Sequence, residues 1–451
     1  MILKNETALW NMTLLYPSTT AHELESDFSS AETLTARFRK KYFGNVAALN
    51  GKQLKAALVE LENIQETLVK PQTYAYLLFA ANSEDVETKK LSQRAMEFGN
   101  RMSREILFFD LEVIALTEDR YQQYINDDFL ANYRHYLENL RRYRPHTLPE
   151  REERILKEKG LTGVEAFTHL FDELSSSFRY DFELDGERLE MTGEELLGLL
   201  HHQDSNARER AFATFLAKYR EQGIVFTAIL NNAALDHGQE LEIRGYRSVM
   251  EPTHLANEVE PQAVERLMEI SENNYHLARE YFHLKARLLG MPRLKNTDIF
   301  APVPGRDRTY SFETSKKLVS EAYGKFFPLF GTIVERFFSE ERIDAQPRHG
   351  KSGGAFCMGI SPSIPPFVLL NHTGNLRDVA TLAHELGHGL HFVLAQRQSM
   401  LNYHPPLPLA ETASVFGEML LTKLMLQGEE DSKDKIPILC ATIVDIIATT
   451  F

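Results

Sequence analysis

The chain has 451 residues, and its acidic residues outnumber its basic ones by 64 to 50, which gives a formal net charge of −14. This balance argues against nucleic acid as the main partner, because phosphate binding needs clustered Lys and Arg side chains. The two cysteines, Cys357 and Cys440, form no C-x-x-C pair, so we expect no disulfide framework and a reducing, cytoplasmic setting. The N-terminus lacks a signal-peptide pattern and no apolar run reaches the roughly 18 residues of a membrane span, so no membrane partner is expected.

The first part of the chain has the apolar spacing of helices. From Ser29 to about Leu140, Leu, Phe and Tyr recur three and four residues apart, which predicts a bundle of antiparallel helices. Ser29-x-x-Glu32 and Thr162-x-x-Glu165 have the spacing of capping boxes and predict helix starts. We therefore predict an N-terminal helical region over residues 1–190.

A change of pattern follows near residue 180. Phe178, Tyr180, Phe182 and Leu184 alternate with polar residues, and Asp185-Gly186 follows them, which predicts a β-hairpin. A helix start at Thr192-x-x-Glu195 comes next. We place a domain boundary between about 185 and 200, with a second region over residues 200–451.

The second region is again helical before it becomes rich in Gly and Pro. One helix is predicted over residues 261–289 and another over 311–338. The pattern of residues 345–375 predicts two short strands joined by a loop. Gly353 and Gly354 would allow another backbone to approach closely. Such a strand could pair with an extended peptide. The alternative is a small structural hairpin that packs on the following helix.

The most informative stretch is the His-Glu-Leu-Gly-His run at residues 384–388. On a helix His384 and His388 lie on one face, one turn apart, where two neutral imidazoles can hold one Zn²⁺. Glu385 is close enough to reach a water bound to the metal, so it is the candidate general base. The alternative is a pair of core histidines on a buried helix. Two glycines within this helix cost roughly 1 kcal/mol each relative to Ala, which suggests a close approach by another group.

A catalytic zinc ion usually has three protein ligands and one open position. The candidate for the third ligand is Glu411, which lies on a second apolar helix after a proline-rich loop that lets the chain reverse. An unpaired buried carboxylate is costly, and a metal would give it a partner. The alternative is an ordinary, partly exposed helix glutamate.

Four further residues are candidates for orienting the ligands. His391 and Asp378 could hold an imidazole or a carboxylate in place, and Ser414 and Glu418 could do the same from one and two turns beyond Glu411. The alternative for each is a core polar residue whose hydrogen bonds are made by the backbone.

Several parts of the chain together resemble oligoendopeptidase F, a branch of the thimet-oligopeptidase-like zinc metallopeptidases. The resemblance lies in the runs at 378–391 and 411–414, the opening at 10–13, the region 178–189 and the segment 353–357. It implies a mainly α, multi-helix zincin-like fold with a small strand element beside the active-site helix, and it implies that about 114–184 form the N-terminal domain of that family. In that family the residues matching His384, His388 and Glu411 bind one zinc ion, and the residue matching Glu385 is the base.

The resemblance also implies that Gly354, Ala355 and Phe356 form the strand that binds oligopeptide substrates. Family members continue past the position of Phe451 with a His- and Tyr-rich segment, so we expect a truncated chain with an incomplete substrate channel. The leading hypothesis is a zinc-dependent endopeptidase for short peptides. The alternatives are a truncated or inactive peptide-binding metalloprotein and a helical scaffold with a chance motif.

Overall fold

The computed structural model describes residues 8–304 and 308–450. The protein is mainly helical, with one hairpin and one small sheet, which confirms the predicted fold class. Before the hairpin, the helices are α1 (His22–Tyr42), α2 (Gly51–Ala81), α3 (Val86–Ile114), α4 (Glu118–Ile125), α5 (Arg134–Arg142), α6 (Glu150–Gly160) and α7 (Val164–Ser176).

The N-terminal helices form a bundle around a buried core that includes Phe38, Leu58 and Phe109. The helix start predicted at Ser29 is wrong, because α1 begins at His22 and the Ser29 hydroxyl donates to the carbonyl of Glu25 within the helix. A capping-box spacing therefore also occurs inside a helix, where a Ser side chain bonds back by one turn.

The second predicted cap in this region is also wrong. Gly163 is the residue that caps α7, while the Thr162 hydroxyl donates to the carbonyl of Lys159 at the end of α6. The Thr side chain closes the preceding helix, so it is not available to begin the next one.

The hairpin predicted after residue 178 is confirmed. Strand β1 (Tyr180–Leu184) pairs antiparallel with β2 (Glu187–Met191). Asp185 and Gly186 both have positive φ, at 52° and 83°, as the tight turn between twisted strands requires. Tyr180 and Phe182 are buried by the alternation.

After the hairpin the chain is helical up to the small sheet and again beyond it. The helices are α8 (Gly193–Gly198), α9 (Ser205–Glu221), α10 (Gly223–Arg244), α11 (Glu251–Ala256), α12 (Pro261–Asn273), α13 (Tyr275–Leu288), α14 (Phe312–Phe326), α15 (Pro328–Ser339), α16 (Leu376–Ala395), α17 (Leu407–Gly428) and α18 (Ser432–Thr450). The capping box predicted at Thr192 and Glu195 is present at the start of α8.

Two helices that the sequence predicts as continuous are broken. The break between α12 and α13 falls at Asn274, whose side chain donates to the carbonyl of Ile270 and competes with the helix backbone. The break between α14 and α15 falls at Phe327, which is extended because Pro328 disfavours a helical conformation in the residue before it.

The small sheet lies beside α16 and has the strand order β3-β5-β4. Strand β4 (Phe356–Met358) pairs antiparallel with β5 (Phe367–Leu369), which confirms the two strands predicted over residues 345–375. Strand β3 (Ile343–Asp344) pairs parallel with β5 and is too short to leave a pattern in the sequence. Strand β4 is at the sheet edge and packs on α16.

The N-terminal segment ties the bundle to this sheet. The carbonyl of Ala8 accepts a hydrogen bond from the amide of Ala345 at 2.9 Å, just after β3. The ring of Trp10 packs edge-on against Phe367 of β5, with 6.3 Å between centroids. Among residues 8–304 and 308–450, no helix combines the length and the apolar character needed to span a bilayer.

Candidate metal centre

Helix α16 carries the His-Glu-Leu-Gly-His run, and its start is fixed by a capping box. The Asn375 side chain accepts from the amide of Asp378 at 3.1 Å, and Asp378 accepts in return from the amide of Asn375. The same Asp378 oxygen also accepts from Thr373 and from the amide of Gly374. Asp378 and His384 are six positions apart on the helix, which is about 9 Å along its axis. The structure thus places Asp378 at the helix cap, and its suggested orienting role stays a prediction.

The back of α16 is buried in the main apolar core of the second region. Leu382 and Leu386 are fully buried and Leu390 nearly so, against α14, α15 and α17. The Tyr323 hydroxyl of α14 donates to the carbonyl of Ala383 at 2.7 Å. This burial fixes the rotation of α16, so that its histidines point to the opposite side.

Helices α16 and α17 approach closely through glycine, as the two helical glycines of α16 suggested. A Cβ on Gly387 would lie 2.5 Å from the carbonyl oxygen of Ala413 and 2.7 Å from the Cα of Ser414. A Cβ on Gly417 would lie 2.7 Å from the carbonyl oxygen of Ala383. Both distances are shorter than side chains tolerate, so this contact requires glycine at both positions.

The close contact brings three predicted ligands to one point. A ligand atom from each of His384, His388 and Glu411 lies within 4.8 Å of the others. Oε2 of Glu411 is 3.4 Å from Nε2 of His384 and 3.8 Å from Nε2 of His388. The Glu411 side chain is half exposed, at 51 %. The sequence-based expectation that a buried carboxylate needs a partner therefore does not apply to Glu411.

Two residues of α17 hold these ligands in place. Oε1 of Glu418 lies 2.5 Å from Nδ1 of His384, which leaves Nε2 of that ring facing Glu411. Oγ of Ser414, which is fully buried, lies 2.9 Å from Oε2 of Glu411. The sequence suggested orienting roles for Glu418 and Ser414, and those roles stay predictions.

The pKa values of the two imidazoles in the cluster are shifted in opposite directions. Burial lowers the pKa of His384, but the hydrogen bond to Glu418 and the nearby carboxylates outweigh burial and raise it above its ordinary value. Burial and the neighbouring His384 lower the pKa of His388. The pKa values of the two imidazoles are therefore separated by their different contacts.

Glu385 differs from Glu411 in its surroundings. Its side chain is only 5 % exposed, and Oε2 has no hydrogen-bond partner among the described residues. Burial raises the pKa of the Glu385 carboxyl to about 7, with His384 opposing the shift. The charge of Glu385 acts on the buried thiol of Cys357 in β4, whose pKa burial raises well above its ordinary value. Glu385 thus lies between the metal cluster and the edge strand.

His391 lies on α16 one turn beyond His388. Burial lowers the pKa of its imidazole, and its Nδ1 has no partner within the part of the chain that the structure describes. Neither of its nitrogens is shown bonded to a ligand of the cluster, so an orienting role for His391 stays a prediction.

The segment suggested for substrate binding lies at the start of β4. Phe356 is in the strand, while Gly354 precedes it with a positive φ of 73°. The amide of Gly354 donates to Oε1 of Glu194 at 2.9 Å, and its carbonyl accepts from Asn371 at 3.0 Å. The amide and carbonyl of Gly354 thus both have partners within the chain, and the binding of substrate by Gly354, Ala355 and Phe356 stays a prediction.

The donor set fits a small divalent cation. Two imidazole nitrogens and one carboxylate oxygen are the ligands that suit zinc best. Ligands at 2.0–2.1 Å from a tetrahedral ion are about 3.4 Å apart, which is close to the separations between Glu411 and the two histidines. The mainly helical fold and this His–His–Glu cluster together place the chain among the helical metallopeptidases.

Comparison with known proteins agrees with that class. A model described as Peptidase family M3 matches residues 198–451, and a model described as Oligopeptidase F matches residues 112–180. The chain therefore belongs to peptidase family M3, and it is a metallo-oligopeptidase of that family. The division of the chain near residue 190 stays a prediction.

Curated relatives match most of the chain at low identity. The Group B oligopeptidase PepB of Streptococcus agalactiae is 25 % identical over 404 residues, which cover 89 % of this chain and 67 % of the relative. An oligoendopeptidase F homolog of Lactococcus lactis is 24 % identical over 440 residues, which cover 96 % of this chain and 72 % of the relative. The chain thus spans about two thirds to three quarters of these relatives.

Solved structures share the fold. A crystal structure of oligoendopeptidase-F from Enterococcus faecium has a TM-score of 0.67 at 20 % identity. The alignment covers 95 % of this chain and 72 % of the Enterococcus chain. A putative oligoendopeptidase F from Bacillus anthracis has a TM-score of 0.74 at 17 % identity, covering 92 % of this chain and 72 % of its own.

Sequence reasoning missed the residues that set the spacing of the two helices. Tyr323 lies 60 positions before Ala383, and no local pattern connects the two residues. Gly417 was visible as a lone glycine on an apolar helix, which is a signal of close packing that could have been used.

Proposed function

We propose that this chain is a zinc-dependent endopeptidase that hydrolyses internal bonds of short oligopeptides. The observation that carries the proposal is the convergence of His384, His388 and Glu411 from two helices onto one point. The names of the PepB and oligoendopeptidase F relatives, which are oligopeptidases, support the substrate class.

In this proposal one zinc ion per chain would be held by Nε2 of His384, Nε2 of His388 and a carboxylate oxygen of Glu411. Glu418 would keep His384 in the tautomer that presents Nε2, and Ser414 would restrain the Glu411 carboxylate. Bound zinc supplies Lewis acidity, which lowers the pKa of water and polarises a peptide carbonyl.

Glu385 would be the general base and acid. Its unpartnered Oε2 can take a proton from the attacking water and later give that proton to the leaving amine. A carboxyl whose pKa lies near 7 exchanges a proton in both directions near neutral pH. A protein that only binds peptides needs no such group, which favours catalysis over the peptide-binding alternative.

The edge strand β4 would bind the substrate backbone from Ala355 onward. Its outer edge is free of sheet partners among the described residues, and its inner edge pairs with β5. Pairing through the main chain depends little on side chains, so a range of peptide sequences can bind. The two free cysteines support a reducing, cytoplasmic location for this activity.

The test is digestion of internally quenched peptides of 6 to 12 residues by the full chain, with products identified by mass spectrometry and zinc measured by atomic emission. We expect about one zinc ion per chain and cleavage at internal bonds that a chelator stops. Removal of terminal residues alone, or cleavage that persists after zinc is stripped, would refute the proposal.

A further inference from the structure

A second cavity, of about 200 Å³, lies apart from the metal cluster at the start of the edge strand. It is enclosed by α7, the hairpin, α8, α9 and the loop before β4. Sites for drug-sized ligands occupy about 300–1,000 Å³, so this cavity has the size for one side chain.

Aromatic rings form the inner wall of this cavity. The rings of Tyr180 and Phe215 are stacked with 5.8 Å between centroids, and Phe215 lies 4.9 Å from Tyr219. Phe178 meets Tyr219 edge-on at 5.5 Å. Aromatic faces carry partial negative charge and attract cations, most strongly where water is excluded.

Two carboxylates complete the wall, from Asp172 and Glu194. Asp172 is partly buried, and burial raises the pKa of its carboxyl. Burial raises the pKa of Tyr219, and the charge of Glu194, which also lines the cavity, raises it further. An apolar occupant would remove more water from both carboxylates without giving them a partner, whereas a cationic occupant would pair with them.

The two basic side chains at the cavity are already paired. Arg348 makes two hydrogen bonds to Asp344, at 2.7 and 2.8 Å, and Nζ of Lys351 lies 2.7 Å from the same carboxylate. With Asp344 included, carboxylates outnumber basic groups here by one. The cavity therefore favours a positive charge over a negative one.

The cavity is joined to the peptide-binding edge through Glu194. This residue accepts the hydrogen bond from the Gly354 amide and lies at the cavity wall. Gly353, at the cavity, is four residues before Cys357 of β4, a stretch that spans at most about 14 Å, and the charge of Glu385 acts on Cys357. A peptide paired with β4 would therefore bring a residue three or four positions from the scissile bond to the cavity.

We propose that this cavity is a substrate subsite that takes a Lys or Arg side chain three or four residues away from the bond that is cleaved. The subsite rests on the proposed function, because the occupant is part of a peptide substrate. The groups that would contact the cation are the partly exposed rings of Phe215 and Tyr219 and the carboxylates of Glu194 and Asp172.

The test is a scan in which one Arg is moved through each position of an otherwise neutral quenched peptide, with norleucine peptides as controls of similar length. We expect kcat/KM to rise roughly threefold or more for Arg over norleucine at a single position, three or four residues from the cleaved bond. An equal rate for the two residues at that position, or an equal gain at every position, would overturn the subsite.

Variants then connect that preference to the cavity. Glu194→Gln removes the charge and keeps an oxygen that can accept from Gly354, so we expect the Arg preference to fall about twofold or more. Tyr219→Phe should retain the preference, while Tyr219→Leu should lose it. Glu187→Gln, an exposed position on the hairpin, is the matched control and should behave as the native chain. Equal preference in Glu194→Gln and Glu187→Gln would contradict the assignment.

Binding separates this proposal from the proposed function. Fluorescence anisotropy of the same labelled peptides on the zinc-loaded Glu385→Gln chain measures affinity without turnover. The native chain could cleave no peptide while the Glu385→Gln variant binds the Arg peptide more tightly than the norleucine peptide. In that case the peptidase proposal fails and the subsite stands. If cleavage occurs with no preference in either assay, the subsite fails and the peptidase proposal stands.

Discussion

The three glutamates of the candidate metal centre, Glu385, Glu411 and Glu418, differ in their burial and in their contacts. Glu385 and Glu411 have the same side chain, but one is 5 % exposed with an unpartnered oxygen and the other is half exposed beside two imidazoles. Glu418 makes its contact with the outer nitrogen of His384 and not with the point of convergence. The three carboxylates therefore have separate proposed roles as base, ligand and orienting group.

The assignment of the base leads to a prediction for Glu385→Gln. The amide keeps the size of the side chain but cannot take a proton, so we expect zinc to stay bound and kcat to fall about 10²–10⁴-fold. Zinc content and turnover of a quenched peptide are measured on the same sample. Unchanged turnover with full zinc occupancy would show that another group is the base.

The role of Glu418 is tested through metal affinity. Replacing Glu418 with Ala removes the partner of His384 Nδ1, and loss of such a contact typically weakens zinc binding about 10–100-fold. The dissociation constant for zinc is measured by competition with a chromophoric chelator. Glu430→Ala, an exposed position just after α17, is the control and should bind zinc as the native chain does. Equal zinc affinities for the two variants would remove Glu418 from the centre.

At the scale of elements, the centre depends on the contact between α16 and α17. Neither helix carries a complete ligand set, and the glycines at 387 and 417 set the distance between the helices. The buried back of α16 fixes its rotation, and the capping box at Asn375 and Asp378 fixes its start. Packing and capping thus act on the metal centre through the position of a whole helix.

This contact predicts the effect of Gly387→Ala. An added methyl group would collide with the backbone of Ala413 and Ser414, so we expect a loss of about 1–3 kcal/mol in the free energy of unfolding. Urea denaturation measures that loss, and zinc affinity should fall with it because Glu411 moves. Gly428→Ala is the control, since nothing lies within 4 Å of its Cβ position. Equal stability of the two variants would mean that the helices can separate without cost.

Sequence reasoning succeeded where the signal is local. The four-residue spacing of His384 and His388 determines their common face on any helix, and the alternation before Asp185-Gly186 determines the hairpin. It failed at Ser29, because the same residue type serves helix interiors and caps. The pairing of Gly354 with Glu194 joins positions 160 apart, which no spacing rule predicts.

At the scale of the whole molecule, the N-terminal bundle and the catalytic helices meet at the small sheet. Ala8 bonds to Ala345 beside β3, Trp10 packs on β5, and Glu194 reaches the start of β4. The edge strand that would bind a peptide is therefore held by residues from both parts of the chain.

Metal binding should stabilise the folded chain as a whole. A ligand that binds only the native state adds about 2.7 kcal/mol at a concentration 100 times its dissociation constant. We expect zinc removal by dipicolinate to lower the unfolding midpoint in scanning calorimetry and zinc addition to restore it. His388→Ala should lose this zinc-dependent shift, and an undiminished shift in that variant would place the metal elsewhere.

The most direct measurement is anomalous diffraction at the zinc edge from crystals of the zinc-loaded chain. The predicted result is one peak about 2.0–2.2 Å from Nε2 of His384, Nε2 of His388 and a carboxylate oxygen of Glu411. A peak bound by other residues, or a Glu411 carboxylate turned beyond coordinating distance, would contradict the metal centre on which the proposed function depends.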